Sequence, residues 1–214
     1  MTTWLHERRF QAVRAVLVAE RVRLVADLGC GEGELTLRLA AEPTVERVVA
    51  IEPVPARLQA LRNELGRLPA SVAAKVAPVL GSALRQQPLL ATVEAVLLVE
   101  VLEHLEPDRL SVLERLAFGS VRLVVVTTPN HDYNPLLGVP PTRLRHPEHR
   151  FEWGRARFAR WAAGVGARHG YDVARHDVGA CHPVLGGPTQ MAVFRHRWSP
   201  PALSAPAASG IVGR

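Results

Sequence analysis

Three residues near the middle of the chain carry the clearest chemical signal. In VEVLEHLEPDRL, Glu100, Glu103 and His104 stand at i, i+3 and i+4, the spacing of one face of a helical turn. Two carboxylates and an imidazole gathered there repel and desolvate one another unless a cation joins them. The ordinary alternative is a solvated first turn with an incidental histidine. A further ligand has to come from another loop, and RLRHPEHRFEW supplies both His146 and His149. Hard oxygens combined with imidazole favour Mg²⁺ or Mn²⁺ at an open octahedral site. A closed structural zinc site fits less well, because no paired thiolates are present.

A second constellation surrounds DLGCGEG. Gly29, Gly31 and Gly33 follow G-x-G-x-G, and glycines there let backbone N–H groups approach a ligand at the end of a parallel strand. Such a turn is common as a plain strand–helix connection, so its flanking acids matter. Asp27 opposes a pyrophosphate by like charge but suits a cation such as the sulfonium amino acid of S-adenosylmethionine. Glu52, closing the next strand, is placed to accept both hydroxyls of a ribose. Gly81 and Ser82 end the third strand, where Ser82 is a further cofactor contact and Leu84 a candidate for packing on adenine. Methyl transfer needs no metal as such. A cation becomes useful when the acceptor is a poor nucleophile, such as a ribose hydroxyl, which it activates and orients. Gripping both hydroxyls of a terminal cis-diol would select a free RNA 3′ end.

The elements that must hold these residues alternate. Strands are expected at 23–29, 47–52, 75–80, 92–100, 121–130, 172–178 and 189–195, with helices at 5–20, 32–41, 56–68, 106–118 and 154–169. Near-continuous Val/Leu strands between helices imply an α/β domain, a mostly parallel seven-stranded sheet with helices on both faces. A long Pro-, His- and Arg-rich loop is expected over 131–150. One domain over 1–197 is expected to be followed by a Pro/Ala/Ser-rich, disordered tail over 198–214.

Composition bounds the partners. Of 214 residues, 26 are basic and 20 acidic, giving net +6, and all but one of the basic residues (Lys75) are arginine. Arginine-heavy usage fits a polyanionic partner, and it fits genomic composition equally. Two cysteines, Cys30 and Cys181, exclude a disulfide framework. No apolar run approaches the ~20 residues that cross a bilayer, so no membrane partner and a cytoplasmic location are expected.

The stretches DLGCGEG, LVEVLEHLEPDRLSVLER, VVVTTPNHDYN, LRHPEHRFEWGRARFARWA and GPTQMAVF, taken together, resemble the Hen1 family of RNA 3′-terminal ribose 2′-O-methyltransferases. EVLEHL and HRFEW, in this order around TTPNHDYN, are specific to it, whereas DLGCGEG is common to many methyltransferases. The resemblance implies a Rossmann-like class I S-adenosylmethionine-dependent methyltransferase acting on the 2′-hydroxyl of the last ribose of a small RNA or a cleaved tRNA undergoing RNA repair. It implies Glu100, Glu103, His104 and His149 as ligands of Mg²⁺ or Mn²⁺, with both terminal ribose oxygens on the ion. Asp27, Gly29, Gly31, Glu52, Ser82 and Glu100 would meet the cofactor. Asn130, Tyr133, Arg145, His146 and Arg150 would meet the RNA, and Arg143 and Arg155 its phosphates. Phe151 and Trp153 are expected to pack the loop onto the sheet. Many bacterial relatives carry a preceding domain that works with an RNA end-healing and ligating enzyme, which makes such an enzyme the implied protein partner. This chain begins at the methyltransferase helix, as an excised domain or a chain acting alone. The segment 82–95 departs from the family's pattern and leaves the adenine contacts open. The other readings are a catechol-like diol O-methyltransferase and an RNA-binding module without catalysis.

Overall fold

The computed structural model describes residues 4–119 and 121–197; the tail expected over 198–214 lies outside the described residues. Strands β1 (Leu24–Leu28), β2 (Arg47–Glu52), β3 (Val76–Leu80), β4 (Ala95–Val99) and β5 (Leu123–Pro129) are parallel. β6 (Tyr171–Val178) and β7 (Thr189–His196) complete a sheet of order β3-β2-β1-β4-β5-β7-β6. β7 inserts antiparallel between β5 and β6. The strand order reverses between β1 and β4, the point at which open α/β sheets leave a crevice beyond their C-terminal strand ends. Both the glycine turn and Glu100 emerge there.

Strand alternation sends side chains to two cores. On one face α1 (Trp4–Ala19) buries Phe10, Val13 and Leu17 against Val25, Val48, Leu97 and Val125. α2 (Glu34–Ala41) and α3 (Pro55–Leu65), followed by the short α4 (Ala70–Ala73), close Leu58 and Leu61 over Ala50. On the other face α5 (Leu110–Ala117) and α6 (Arg155–His169) pack on Ala26, Leu28, Val96, Leu98, Val124 and Val126. All seven expected strands form.

Two connections differ from expectation. The helix expected over 106–118 divides into a 3₁₀ turn at Pro107–Arg109 and α5, because Pro107 is suited to a first helical position and has no N–H to continue from a preceding turn. The loop over 131–150 opens with a 3₁₀ helix, His131–Leu137, whose first turn is capped by Asn130 accepting from Asp132 N at 3.1 Å. Among the described residues no helix is long and apolar enough to cross a membrane.

Candidate active site

Two cavities, of about 280 and about 370 Å³, meet at the wall formed by Gly29 and Glu100. The larger is lined by Gly31, Glu52, Ser82, Ala83, Val101 and His104. Glu52 is buried at the end of β2, and its two oxygens accept from Gly31 N at 2.9 Å and Val54 N at 3.0 Å. These bonds fix the carboxylate and leave lone pairs for a diol. Gly31 and Gly33 both have positive φ, for different reasons. A side chain at Gly33 would run into Leu61, whereas at Gly31 it would enter open space where a ligand approaches. Leu84 does not face this cavity; it packs on the core, with its N–H on Ser82 Oγ at 3.1 Å.

The smaller cavity is lined by Asp27, Arg9, Phe10, Glu34 and Arg38. Burial pushes the Asp27 carboxyl up to about 6, with Thr36 Oγ1, donating at 2.6 Å, pulling against it and Glu52 adding to it. A buried acid in this state is suited to a cationic ligand that restores its charge. Arg9, on α1, donates to Glu100 Oε2 at 3.3 Å. Sequence spacing gave no sign of Arg9, since α1 comes near β4 only through packing. The smaller cavity therefore offers both signs of charge, as an amino acid's ammonium and carboxylate require.

Beyond this wall, Glu103, His104 and His149 each bring a ligand atom within 4.8 Å of the others. The backbone explains the meeting: Arg150 N donates to Glu103 O at 2.6 Å, and Arg57 on α3 pairs with Glu148 at 2.9 Å, so the distant loop is tied beside the end of β4. Glu103 is buried; its Oε2 accepts from Thr128 Oγ1 at 2.9 Å, and its Oε1 has no partner. Burial, then the nearby Glu100 charge, raise its carboxyl well above the ordinary range. Burial, together with His149, lowers His104, which favours the neutral imidazole a metal needs. A carboxylate that meets two imidazoles and keeps one buried oxygen unpartnered fits a divalent cation.

Glu100 is the exception to the expected four-ligand set. It takes φ +56, leaving the helical region, so the i, i+3, i+4 face does not form. Its carboxylate accepts from Thr127 Oγ1 at 2.9 Å and from Arg9, and it lines both cavities, outside the trio. The His146 ring flanks the trio, 6.1 Å from that of His104 and 5.5 Å from that of His149.

The residues expected at the RNA divide. Arg150 stays exposed, 3.2 Å from Glu106, and Tyr133 is half-buried. Asn130 is fully buried and donates to Leu185 O and Gly187 O at 2.8 Å each, so its amide is taken by the backbone. Arg145 is also taken by the interior and not by solvent. Its guanidinium turns inward to Asn134 Oδ1 at 2.5 Å, Pro188 O at 2.7 Å and Asn130 O, a strut that leaves no free fork for a phosphate. Arg155 is held by Asp177 at 3.1 Å, whereas Arg143 remains exposed. Phe151 and Trp153 stack at 4.7 Å with Trp153 buried, as expected. Glu152 between them escaped notice in the sequence, although it lies three residues after His149. Its carboxylate lies 2.6 Å from His149 Nδ1 and accepts from Asn134 Nδ2 at 2.7 Å and from Arg145 N at 2.7 Å. Burial works to raise this carboxyl, but these bonds and the Arg145 charge carry it below its ordinary value.

A buried acid closing β2, a buried acid on β1 and a glycine turn at the switch point mark a class I S-adenosylmethionine-dependent methyltransferase fold. Residues 26–118 match the family model of a methyltransferase domain. The methyltransferase domain of the bacterial protein CtHen1-C is 32% identical, with TM-score 0.81, over 90% of this chain and 98% of that one. The chain belongs to the Hen1 methyltransferase family. A small RNA 2′-O-methyltransferase of Rattus norvegicus is 32% identical over 96% of this chain and 54% of its own length. The chain thus spans about half the length of the curated relatives it matches. The N-methyltransferase NodS from Bradyrhizobium japonicum, solved with S-adenosyl-l-homocysteine, shares the fold at 16% identity and TM-score 0.63.

Proposed function

We propose that this chain transfers a methyl group from S-adenosylmethionine to the 2′-hydroxyl of the 3′-terminal ribose of an RNA, with Mg²⁺ or Mn²⁺ at Glu103, His104 and His149. The observation that carries this reading is the meeting of two imidazoles at the Glu103 carboxylate, whose buried Oε1 has no partner, with His104 also lining the larger cavity. The donor supplies an electrophilic methyl, and a divalent cation supplies Lewis acidity toward an oxygen of the acceptor. Glu52 holds the donor's ribose hydroxyls. Asp27 and Glu100 face its ammonium and Arg9 its carboxylate. Glu103, His104 and His149 hold the cation at the end of β4, next to that cofactor wall. The protein's contribution is proximity and alignment of donor and acceptor across this wall. The relatives named as small RNA 2′-O-methyltransferases support RNA as the acceptor.

The test uses one RNA with three 3′ ends: a 2′,3′-diol, a 3′-phosphate and a 2′-deoxy end. Each is incubated with methyl-labelled S-adenosylmethionine, with and without Mn²⁺. Label is expected on the diol alone and only with the cation. Equal labelling of all three ends would remove the terminal-diol reading, and labelling of a free catechol in place of RNA would assign a small-molecule acceptor.

A further inference from the structure

We propose that Glu152 is a positioning residue for the cation site: it fixes the ring proton of His149 on Nδ1 and aims the bare Nε2 toward Glu103 and His104. The proposal rests on the reading of that trio as a cation site. The Glu152 side chain is fully buried, and the contacts to it other than that of His149 come from N–H groups. Oε1 accepts from Arg145 N at 2.7 Å and faces His149 Nδ1 at 2.6 Å, while Oε2 accepts from Asn134 Nδ2 at 2.7 Å and lies 4.0 Å from Arg145 Nε. Both oxygens are thus committed as acceptors, so the imidazole nitrogen facing them is the donor. A neutral imidazole with a proton on Nδ1 has its lone pair on Nε2, the form that ligates a metal through that atom.

The surroundings also fix the direction of the ring. Asn134 holds Oε2 while Arg145 N shares Oε1 with His149, and Arg145 is itself held by Asn134 and two main-chain carbonyls. His149 is therefore hinged to a rigid base, whereas His104 reaches the trio from the opposite loop. Carboxylate–histidine pairs of this kind orient metal ligands, and their loss typically lowers metal affinity about 10–100-fold. A carboxylate that only tied the loop would leave the tautomer and the cation unaffected.

Two measurements on the full chain decide this. In the metal-free protein near pH 8, long-range ¹⁵N–¹H correlation of the His149 ring is expected to show a proton on Nδ1, moving toward Nε2 in Glu152→Ala. Mn²⁺ titration followed by electron paramagnetic resonance is expected to show affinity reduced about 10–100-fold in Glu152→Gln and Glu152→Ala. Circular dichroism checks that each variant is folded. An Nε2-protonated His149 in the wild type overturns the proposal, and so does wild-type Mn²⁺ affinity in both Glu152 variants. Wild-type protein that binds no Mn²⁺ overturns the cation reading itself, while the ring tautomer still reports whether Glu152 holds His149.

Discussion

Thr127 and Thr128 are neighbours on β5 whose hydroxyls leave opposite faces of the sheet, and each takes one carboxylate from the loop after β4. Thr127 Oγ1 donates to Glu100 and Thr128 Oγ1 to Glu103, both at 2.9 Å. The period-two alternation of a strand thereby sorts two acids only three residues apart. Glu100 goes to the α1 face with Arg9 and the smaller cavity, and Glu103 to the face that carries the histidines. Thr128→Val should weaken Mn²⁺ about tenfold and leave S-adenosylhomocysteine affinity unchanged, whereas Thr127→Val should do the reverse, since a hydrogen bond to a charged group contributes about 1.5–3 kcal/mol. Paired calorimetric titrations of both ligands on both variants check this; equal effects of the two substitutions would contradict the sorting.

Glu103 is expected to cost stability in the absence of a cation. Its buried Oε1 has no partner, and an unsatisfied buried acceptor costs about 1–3 kcal/mol. Glutamine removes the charge that burial and Glu100 disfavour there, so Glu103→Gln should raise the metal-free unfolding free energy by about 1 kcal/mol, in line with the usual conflict between stability and a functional site. Added Mn²⁺ should raise Tm of the wild type and not of the variant. Urea unfolding and thermal scans with and without Mn²⁺ make the comparison; a less stable metal-free variant counts against this account.

Asp27 gives the pH dependence a sign. Its carboxyl titrates near 3.8 ordinarily and at about 6 here. Between those values the unfolded chain has released the proton and the folded chain keeps it, so stability falls as pH rises. The loss begins above about 4, is complete above about 6 and amounts to about 3 kcal/mol. Asp27→Asn lacks this dependence. The difference in urea stability between wild type and variant, measured from pH 4 to 7 without ligand, should swing against the wild type by that amount. A constant difference would show that burial does not hold the proton on Asp27.

Arg9 separates the two halves of the donor. Its guanidinium lies in the smaller cavity beside Glu100, away from Glu52. Arg9→Ala should weaken S-adenosylhomocysteine about tenfold or more, the loss of a charge-assisted bond to a carboxylate, while adenosine affinity stays near wild type. Calorimetry with both ligands reads the difference, and a parallel loss for adenosine would move Arg9 out of this role.

Much of the frame was legible in the residues themselves. Strand and helix periodicity, the glycine turn and the acids at Asp27 and Glu52 are local features, set by spacing along a few residues and by the chain's need to bury Val and Leu. The trio's members were legible too, because Glu103 and His104 share one turn and HRFEW marks His149. What spacing did not convey was which distant group claims each side chain. Glu100 left the ligand face because a left-handed backbone and Thr127 turned it to Arg9. Arg145 and Asn130 turned inward because buried carbonyls of Pro188, Leu185 and Gly187 required donors. Glu152 became the base of His149 only once Asn134 and Arg145 closed around it. Sequence set the local period and the chemical types; the fold decided the hydrogen-bond partners, since buried polar groups must be satisfied by whatever the long-range packing brings within reach.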